Sequence, residues 1–173
     1  MLSLIQAITE KRLHAEISVV LSNRANALIL ENARKHDLQA VLVDPQNTTR
    51  AEYDAALSTE LRKHRIDLVV LIGYMRILSP EFVSEWQGRV INIHPSLLPA
   101  FAGGMNLDVH QAVLDAGIAE TGCTVHEVSD IVDAGKILLQ KKCAVLESDT
   151  VETLKNRVQQ LEAEALIEVI NSY

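Results

Sequence analysis

An asparagine and a histidine two residues apart are the first candidates for chemistry in this sequence. Asn92 and His94 lie in the apolar stretch VINIH, residues 90–94, and Pro95 follows directly. Side chains two apart on a strand point to the same face, and proline cannot continue the hydrogen-bonded ladder. An amide that donates to an oxyanion, beside an imidazole that moves a proton, would suit acyl transfer from one amine nitrogen to another.

The loop SDIVDAG, residues 129–135, adds carboxylates to this pair. Asp130 and Asp133 lie among apolar residues, and the small residues that end the loop allow a tight turn. A carboxylate beside an imidazole fixes its tautomer and raises its pKa. Because the loop follows a predicted strand, we expect it at the same edge of the sheet as His94. Taken without this loop, Asn92 and His94 would be better interpreted as structural residues.

Alternating strand and helix signals supply the frame for these groups. Strands are predicted over residues 17–21, 39–43, 68–72, 90–94, 123–128 and 137–145. Helices are predicted over residues 2–12, 26–36, 49–64, 108–116 and 150–170, with a further one beginning at Ser79. This alternation predicts an α/β fold, a doubly wound and mostly parallel sheet with helices on both faces. Ligands of such sheets bind beyond the carboxyl ends of the strands.

Composition limits the function classes. The 173 residues suit a single domain, and the net charge of −7 argues against nucleic acid or an anionic membrane as a partner. Cys123 and Cys143 are predicted to be reduced core residues of a cytoplasmic protein. The first twenty residues contain no long apolar run, so no signal peptide or membrane span is predicted. The histidines show no metal-ligand spacing, and we expect no metal.

Four residues or pairs keep two interpretations each. His126 either supports the site or packs in the core. Gln159 and Glu162, three apart on a predicted helix, either share a turn that faces the cleft or lie on a solvated face. Ser96 is better interpreted as a structural hydroxyl than as a nucleophile, and Gly103-Gly104 as a flexible turn rather than a phosphate loop.

Four stretches in this order resemble the phosphoribosylglycinamide formyltransferase family: GYMRILSPEFV (73–83), VINIHPSLLPAF (90–101), GCTVHEVSDIVDAGKILLQ (122–140) and DTVETLKNRVQQLE (149–162). The resemblance covers essentially the whole chain. It implies the formyltransferase fold and transfer of a formyl group from 10-formyltetrahydrofolate to the amine of 5-phosphoribosylglycinamide, a step of purine biosynthesis. It implies small-molecule substrates, no metal, and a monomer or homodimer.

The resemblance also implies roles for individual residues. Asn92 would hold the formyl oxygen, His94 would act as general acid, and Asp133 would raise the pKa of His94 and order a water. The residues implied in binding the formyl folate are Arg50, Met75, Arg76, Ile77, Leu78, Ser129, Asp130, Ile131 and Val132. Those implied in binding the phosphorylated substrate are Gly73, Met75, Gln159 and Glu162.

Two related families fit less well. Formyltetrahydrofolate deformylases typically carry a second histidine where this chain has Pro95, together with an extra regulatory domain. Methionyl-tRNA formyltransferases add a basic domain for tRNA. The loop before residue 110 departs from the commoner family pattern, so no role is carried over to His110.

The N-terminal segment of the chain differs from the family pattern. Members open with a strand and a glycine-rich G-x-G-[ST]-N loop, whereas this chain opens in the following helix. We therefore expect residues 1–173 to form a single formyltransferase domain that is shortened at its N-terminus. The apolar runs 17–21 and 68–72 would then face each other across a gap or close up. Two alternatives follow: a folate-binding but catalytically impaired protein, and an inactive interaction subunit.

Overall fold

The computed structural model describes residues 1–103 and 107–173, in which helices and strands alternate. The helices are α1 (Leu2–Thr9), α2 (Leu28–Lys35), α3 (Arg50–Lys63), α4 (Pro80–Glu85), α5 (Leu107–Asp115) and α6 (Val151–Ile170). The strands are β1 (Val20–Ser22), β2 (Ala40–Leu42), β3 (Val69–Leu71), β4 (Val90–His94), β5 (Glu120–Glu127) and β6 (Ile137–Ala144). The predicted α/β class is confirmed.

The strands form two separate sheets. In one, β1 and β2 pair in parallel; in the other, the order is β3-β4-β5-β6. Strands β3 and β4 are parallel, whereas β5 runs antiparallel to both β4 and β6. The carboxyl end of β5 therefore lies beside the beginning of β4, with Glu127 opposite Ile91. The loop after β5 therefore does not begin at the carboxyl end of β4, contrary to the expectation for a parallel strand.

Helices cover both faces of the larger sheet, as predicted. Neighbouring residues of β4 point into different cores, because successive side chains of a strand alternate. Ile91 belongs to the core that α1, α5 and α6 share with β5. Val90 belongs to the core formed with α3 and α4, where Phe82 and Trp86 are buried. Among the described residues, no helix is long and apolar enough to cross a membrane.

Hydroxyl side chains begin three of the helices. Thr49 caps α3 and Ser79 caps α4, each accepting a hydrogen bond from the backbone N–H three residues later. Helix α6 begins with a capping box formed by Thr150 and Thr153. The spacing of Asp149 and Glu152 also predicts a capping box at this helix, but this is wrong, because the Asp149 carboxylate instead pairs with Arg157 at 2.6 Å.

An apolar cavity of about 810 Å³ separates the two sheets. Residues of β1 and β3 line it from opposite sides, together with apolar residues of α1 and α3. Residues of both strand regions thus border the same cavity. Both strands are also short: β1 starts at Val20 rather than at residue 17, and β3 covers only Val69–Leu71.

Backbone direction on these strands gives a testable consequence. The N–H of Val20 donates to the carbonyl oxygen of Gln39, the residue before β2, at 2.8 Å. The N–H of Val69 donates to the carbonyl oxygen of Arg89, the residue before β4, also at 2.8 Å. Consecutive N–H groups of a strand point to opposite sides, so those of Leu21 and Val70 point towards the cavity. In the described part of the chain, the sheet order places no strand there.

We therefore expect the amide hydrogens of Leu21 and Val70 to exchange with solvent roughly tenfold or more faster than those of Val20 and Val69. Hydrogen exchange followed by NMR measures all four in one sample, so each neighbour serves as the control. Equal protection within both pairs would contradict the open-edge interpretation.

Candidate active site

The register between β4 and β5 brings the candidate residues together. Asn92 lies directly opposite His126, and His94 lies opposite Thr124. Directly opposite residues share a face of the sheet, so all four side chains point to the same side. Thr124 is fully buried and holds the backbone after β4, since its hydroxyl donates to Ser96 O at 2.7 Å and accepts from the N–H of Leu98 at 3.0 Å.

Asn92 is held by His126. The Asn92 Nδ2 atom lies 3.2 Å from His126 Nε2, and His126 Nδ1 lies 2.9 Å from the carbonyl oxygen of Glu127. His126 is buried. Of its two interpretations, the structure supports the first, because its ring contacts the candidate catalytic amide. The sequence carried no signal for this contact, since it depends on the register of two strands distant in the chain.

His94 is buried, and both of its ring nitrogens face acceptors. Nε2 lies 3.1 Å from the carbonyl oxygen of Phe101, and Nδ1 lies 3.4 Å from Asp133 Oδ2. A carbonyl oxygen can only accept, so Nε2 carries a proton. The sequence prediction that Asp133 and His94 lie side by side is therefore met in the structure. The carbonyl of Phe101 is a partner that the sequence did not indicate.

The loop 128–135 folds back over the face of the sheet and delivers Asp133. Gly135 permits this, because a Cβ there would lie 1.7 Å from the carbonyl oxygen of Glu127. Asp133 has a left-handed φ of 55°, a conformation that aspartate tolerates better than most residues. Its Oδ2 accepts from the N–H of Gly103 at 2.8 Å, and its Oδ1 lies 3.6 Å from His126 Nε2. One carboxylate thus contacts both imidazoles.

Two opposing effects set the protonation of His94. Burial lowers the pKa of His94 below its ordinary value, while the Asp133 carboxylate and the Phe101 carbonyl raise it and His126 lowers it further. Burial is the largest of these effects. The predicted effect of Asp133, which raises the pKa of His94, is confirmed, and burial outweighs it.

The loop after β3 presents the residues implied in binding the formyl folate. Met75 and Ile77 are 50% and 59% exposed, which is unusual for large apolar side chains, whereas Leu78 is buried. Arg76 turns inwards, with its guanidinium 4.4 Å from the centre of the Tyr53 ring. The loop begins at Gly73, which has a left-handed φ of 60°.

A buried carboxylate fixes the other end of this loop. Asp54 of α3 accepts a hydrogen bond from the N–H of Ser79 at 2.5 Å, and Asp54 is 1% exposed. Because Ser79 also caps α4, the contact joins α3, α4 and the loop. The sequence analysis did not single out Asp54.

The remaining folate-binding candidates are exposed. Ile131 and Val132 are 70% and 50% exposed, and Ser129 donates to the carbonyl oxygen of Ile131 at 2.9 Å. Asp130 lies on the same exposed loop, while Arg50 is exposed at the first residue of α3. No measured contact brings Arg50 to the Asn92–His94–Asp133 group.

Helix α6 carries the two candidates for the phosphorylated substrate. Gln159 is exposed, whereas Glu162 is partly buried. Burial raises the pKa of Glu162 to about 7, and the amino group of Met1 opposes this. This burial does not fit the interpretation of Glu162 as part of a solvated face.

The turn before α5 is described in part. Gly103 adopts a left-handed φ of 75°, in agreement with the predicted turn, and Gly104 lies outside the described residues. Ser96 donates to the carbonyl oxygen of Ala100 at 2.7 Å, as a structural hydroxyl does. Within residues 1–103 and 107–173, no group of three or more His, Cys, Asp and Glu side chains is placed to hold a metal ion.

Comparison with known proteins decides the family. The sequence model described as formyl transferase matches residues 1–170. The chain belongs to the formyl transferase family. The family resemblance inferred from the four sequence stretches is confirmed.

Individual members of the family are similar along most of the chain. The phosphoribosylglycinamide formyltransferase of Escherichia coli (strain K12) is 39% identical over 158 residues, which are 91% of this chain and 73% of that protein. The crystal structure of glycinamide ribonucleotide transformylase 1 from Symbiobacterium toebii superposes with a TM-score of 0.92 at 40% identity, covering 98% of this chain and 79% of the other.

Larger family members contain this region as a small part. The trifunctional purine biosynthetic protein adenosine-3 of Gallus gallus is 44% identical over 152 residues. That match covers 87% of this chain but only 15% of the trifunctional protein.

Replacing Asp133 tests its pairing with His94. The Asp133 carboxylate raises the pKa of His94, so we expect Asp133→Asn to lower it further. Asparagine also tolerates a left-handed φ and can still accept from Gly103. Histidine NMR titration measures the change, with Asp130→Asn in the same loop as the control. A pKa for His94 that stays constant or rises in Asp133→Asn would refute the pairing.

Glu162 should make stability depend on pH. Its folded pKa of about 7 lies above the ordinary value of 4.5. Between these values the unfolded chain releases a proton that the folded chain keeps, so stability falls as pH rises. We expect Glu162→Gln to remove a loss on the order of 1–3 kcal/mol between pH 4.5 and 7. Denaturant unfolding at several pH values measures it, with the exposed Glu164→Gln as control; identical slopes for wild type and Glu162→Gln would rule it out.

Proposed function

We propose that this chain transfers a formyl group from 10-formyltetrahydrofolate to the amine of 5-phosphoribosylglycinamide. The observation that carries the proposal is the group formed by Asn92, His94 and Asp133, with Asp133 Oδ2 at 3.4 Å from His94 Nδ1. It lies in a chain that belongs to the formyl transferase family over residues 1–170. The names of its relatives support the same reaction.

Asn92 stabilises the oxyanion in this proposal. The formyl folate supplies the formyl carbon that the substrate amine attacks, and negative charge then develops on the formyl oxygen. One N–H of the Asn92 amide is directed at His126, which leaves the second N–H for that oxygen. A preorganised donor in a site shielded from water is worth far more than one in solution.

His94 donates the proton to the leaving nitrogen in this proposal, and Asp133 stabilises the positive charge of His94. As the new bond to the amine forms, that nitrogen loses a proton, and the departing nitrogen of the carrier gains one. The imidazolium of His94 is the donor, and the Asp133 carboxylate beside Nδ1 stabilises its charge. For Nε2 to give up its proton, the N–H must leave the Phe101 carbonyl, which it contacts at 3.1 Å. Substrate binding therefore has to shift the turn that contains Phe101.

Exposed apolar residues on two loops fit the flat ring of a folate. Met75 and Ile77 follow β3, and Ile131 and Val132 belong to the loop that also carries Asp133. Apolar side chains held at the surface beside buried polar groups mark a ligand site. Backbone groups of Arg76, Leu78, Ser129 and Asp130 would complete this contact, and Arg50 would meet the charged tail.

The phosphorylated substrate would meet Gly73, Gln159 and Glu162. Glu162 can act either as donor or as acceptor near neutral pH, because its pKa is raised to about 7. Such a group suits hydroxyls of a sugar. We infer that the protein acts on small molecules as a cytoplasmic enzyme, either monomeric or dimeric.

Substitutions of Asn92 and His94 test the reaction. Losing one oxyanion donor typically costs on the order of 10²–10³ in rate, so we expect Asn92→Ala to lower turnover by about that factor and His94→Ala to lower it at least as much. Turnover is followed with purified protein, 10-formyltetrahydrofolate and the glycinamide substrate, and melting temperature is recorded in parallel. The exposed His36→Ala is the control. Near-wild-type turnover in both variants would falsify the assignment.

A further inference from the structure

The ring of His126 has its protonation pattern fixed by its surroundings. Its Nδ1 lies 2.9 Å from the carbonyl oxygen of Glu127, which can only accept, so Nδ1 carries the proton. In the neutral ring, Nε2 then has a lone pair and no hydrogen. That lone pair lies 3.2 Å from Asn92 Nδ2, within hydrogen-bond distance, whereas Asp133 Oδ1 lies farther from the same nitrogen, at 3.6 Å.

This pattern determines which way the Asn92 amide faces. With its nitrogen towards His126, the amide donates one N–H to the lone pair. Turned by 180°, it would place Oδ1 against that lone pair, and two acceptors would repel each other without a proton between them. The pair lies on directly opposite residues of β4 and β5, so the backbone holds the two side chains in register. His126 is 2% exposed, and water therefore cannot readily replace it.

We propose that His126 is a positioning residue that selects the donor orientation of Asn92. Through one hydrogen bond to Nδ2, its Nε2 keeps the second N–H of Asn92 available for the oxyanion. The inference rests on the proposed formyl transfer for its kinetic consequence, whereas its structural part concerns only the resting protein.

Two variants at position 126 and one control at position 64 test the proposal. His126→Phe keeps the ring and removes the acceptor. His126→Gln offers a carboxamide oxygen that can again accept from Asn92. His64→Phe, at a histidine that contacts Glu60 on α3, is the control for loss of an imidazole elsewhere.

We expect His126→Phe to lower kcat on the order of 10–10²-fold, less than complete loss of an oxyanion donor, with KM changed less than about threefold. His126→Gln should recover most of the loss. In the Asn92→Ala background, His126→Phe should change kcat by less than about twofold, because a residue that acts only through Asn92 has nothing left to position. Multiplicative losses in the double variant, or a His126→Gln variant as impaired as His126→Phe, would overturn the proposal.

NMR gives a readout that does not need turnover. In ¹⁵N-labelled protein, His126 should be the neutral Nδ1–H tautomer, and the Asn92 carboxamide hydrogens should exchange more slowly in wild type than in His126→Phe. The opposite tautomer of His126, or an unchanged exchange rate of the Asn92 carboxamide hydrogens in His126→Phe, would contradict the proposal even if activity fell. If wild type transfers no formyl group, the proposed function fails, and the NMR results alone decide the role of His126.

Discussion

The pairing register of β4 with β5 is the constraint on which the candidate site depends. It sets Asn92 opposite His126 and His94 opposite Thr124, all on one face. A slip by one residue would turn Asn92 and His94 towards the core that holds Ile91 and would carry the apolar Ile91 and Ile93 to the site. Because Ile91 is fully buried, such a slip would lose core packing and bury an amide and an imidazole among apolar residues. Stability of the core and geometry of the site therefore select the same register.

Electrostatic balance in the site comes from a small number of buried groups. The side chains of His94 and Asp133 are only 4% and 10% exposed, and taking charges out of water is costly unless each is paired and hydrogen-bonded. The Asp133 carboxylate meets this condition through the N–H of Gly103 at 2.8 Å and through Nδ1 of His94 at 3.4 Å, which donates to it once the imidazole gains a proton. His94 meets it only in part, because burial lowers its pKa in spite of both acceptors. The free protein thus keeps His94 ready to gain charge rather than permanently charged, which suits a group that exchanges protons.

The sequence predicted the local features better than the distant pairings. The bounds of β4 and the start of α4 at Ser79 follow from neighbouring residues and were predicted correctly, whereas the sequence left the cap of α3 open between Thr48 and Thr49. The Asn92–His94–Asp133 group also came from sequence, although the direction assumed for β5 was wrong. That direction, the contact of His126 with Asn92, and the burial of Asp54 depend on elements far apart in the chain. The net pKa shift of His94 was missed for a related reason, because burial cannot be measured from residue types alone.

The cavity between the sheets has a consequence for cooperativity. Strands β1 and β2 pack with α2 around a core of their own, built on Val20, Leu30 and Ala33. The core of β4, β5 and α6 contains none of these three residues. Beside the cavity of about 810 Å³, the two parts are joined by partly buried residues: Ile17 packs against both cores, and Leu21 and Val43 pack against the core of α3, α4 and β4. Loss of these three packing contacts would let the smaller part open separately from the larger one. The catalytic candidates Asn92, His94 and Asp133 all belong to the larger part, and partial melting of the smaller one would leave their pairing intact.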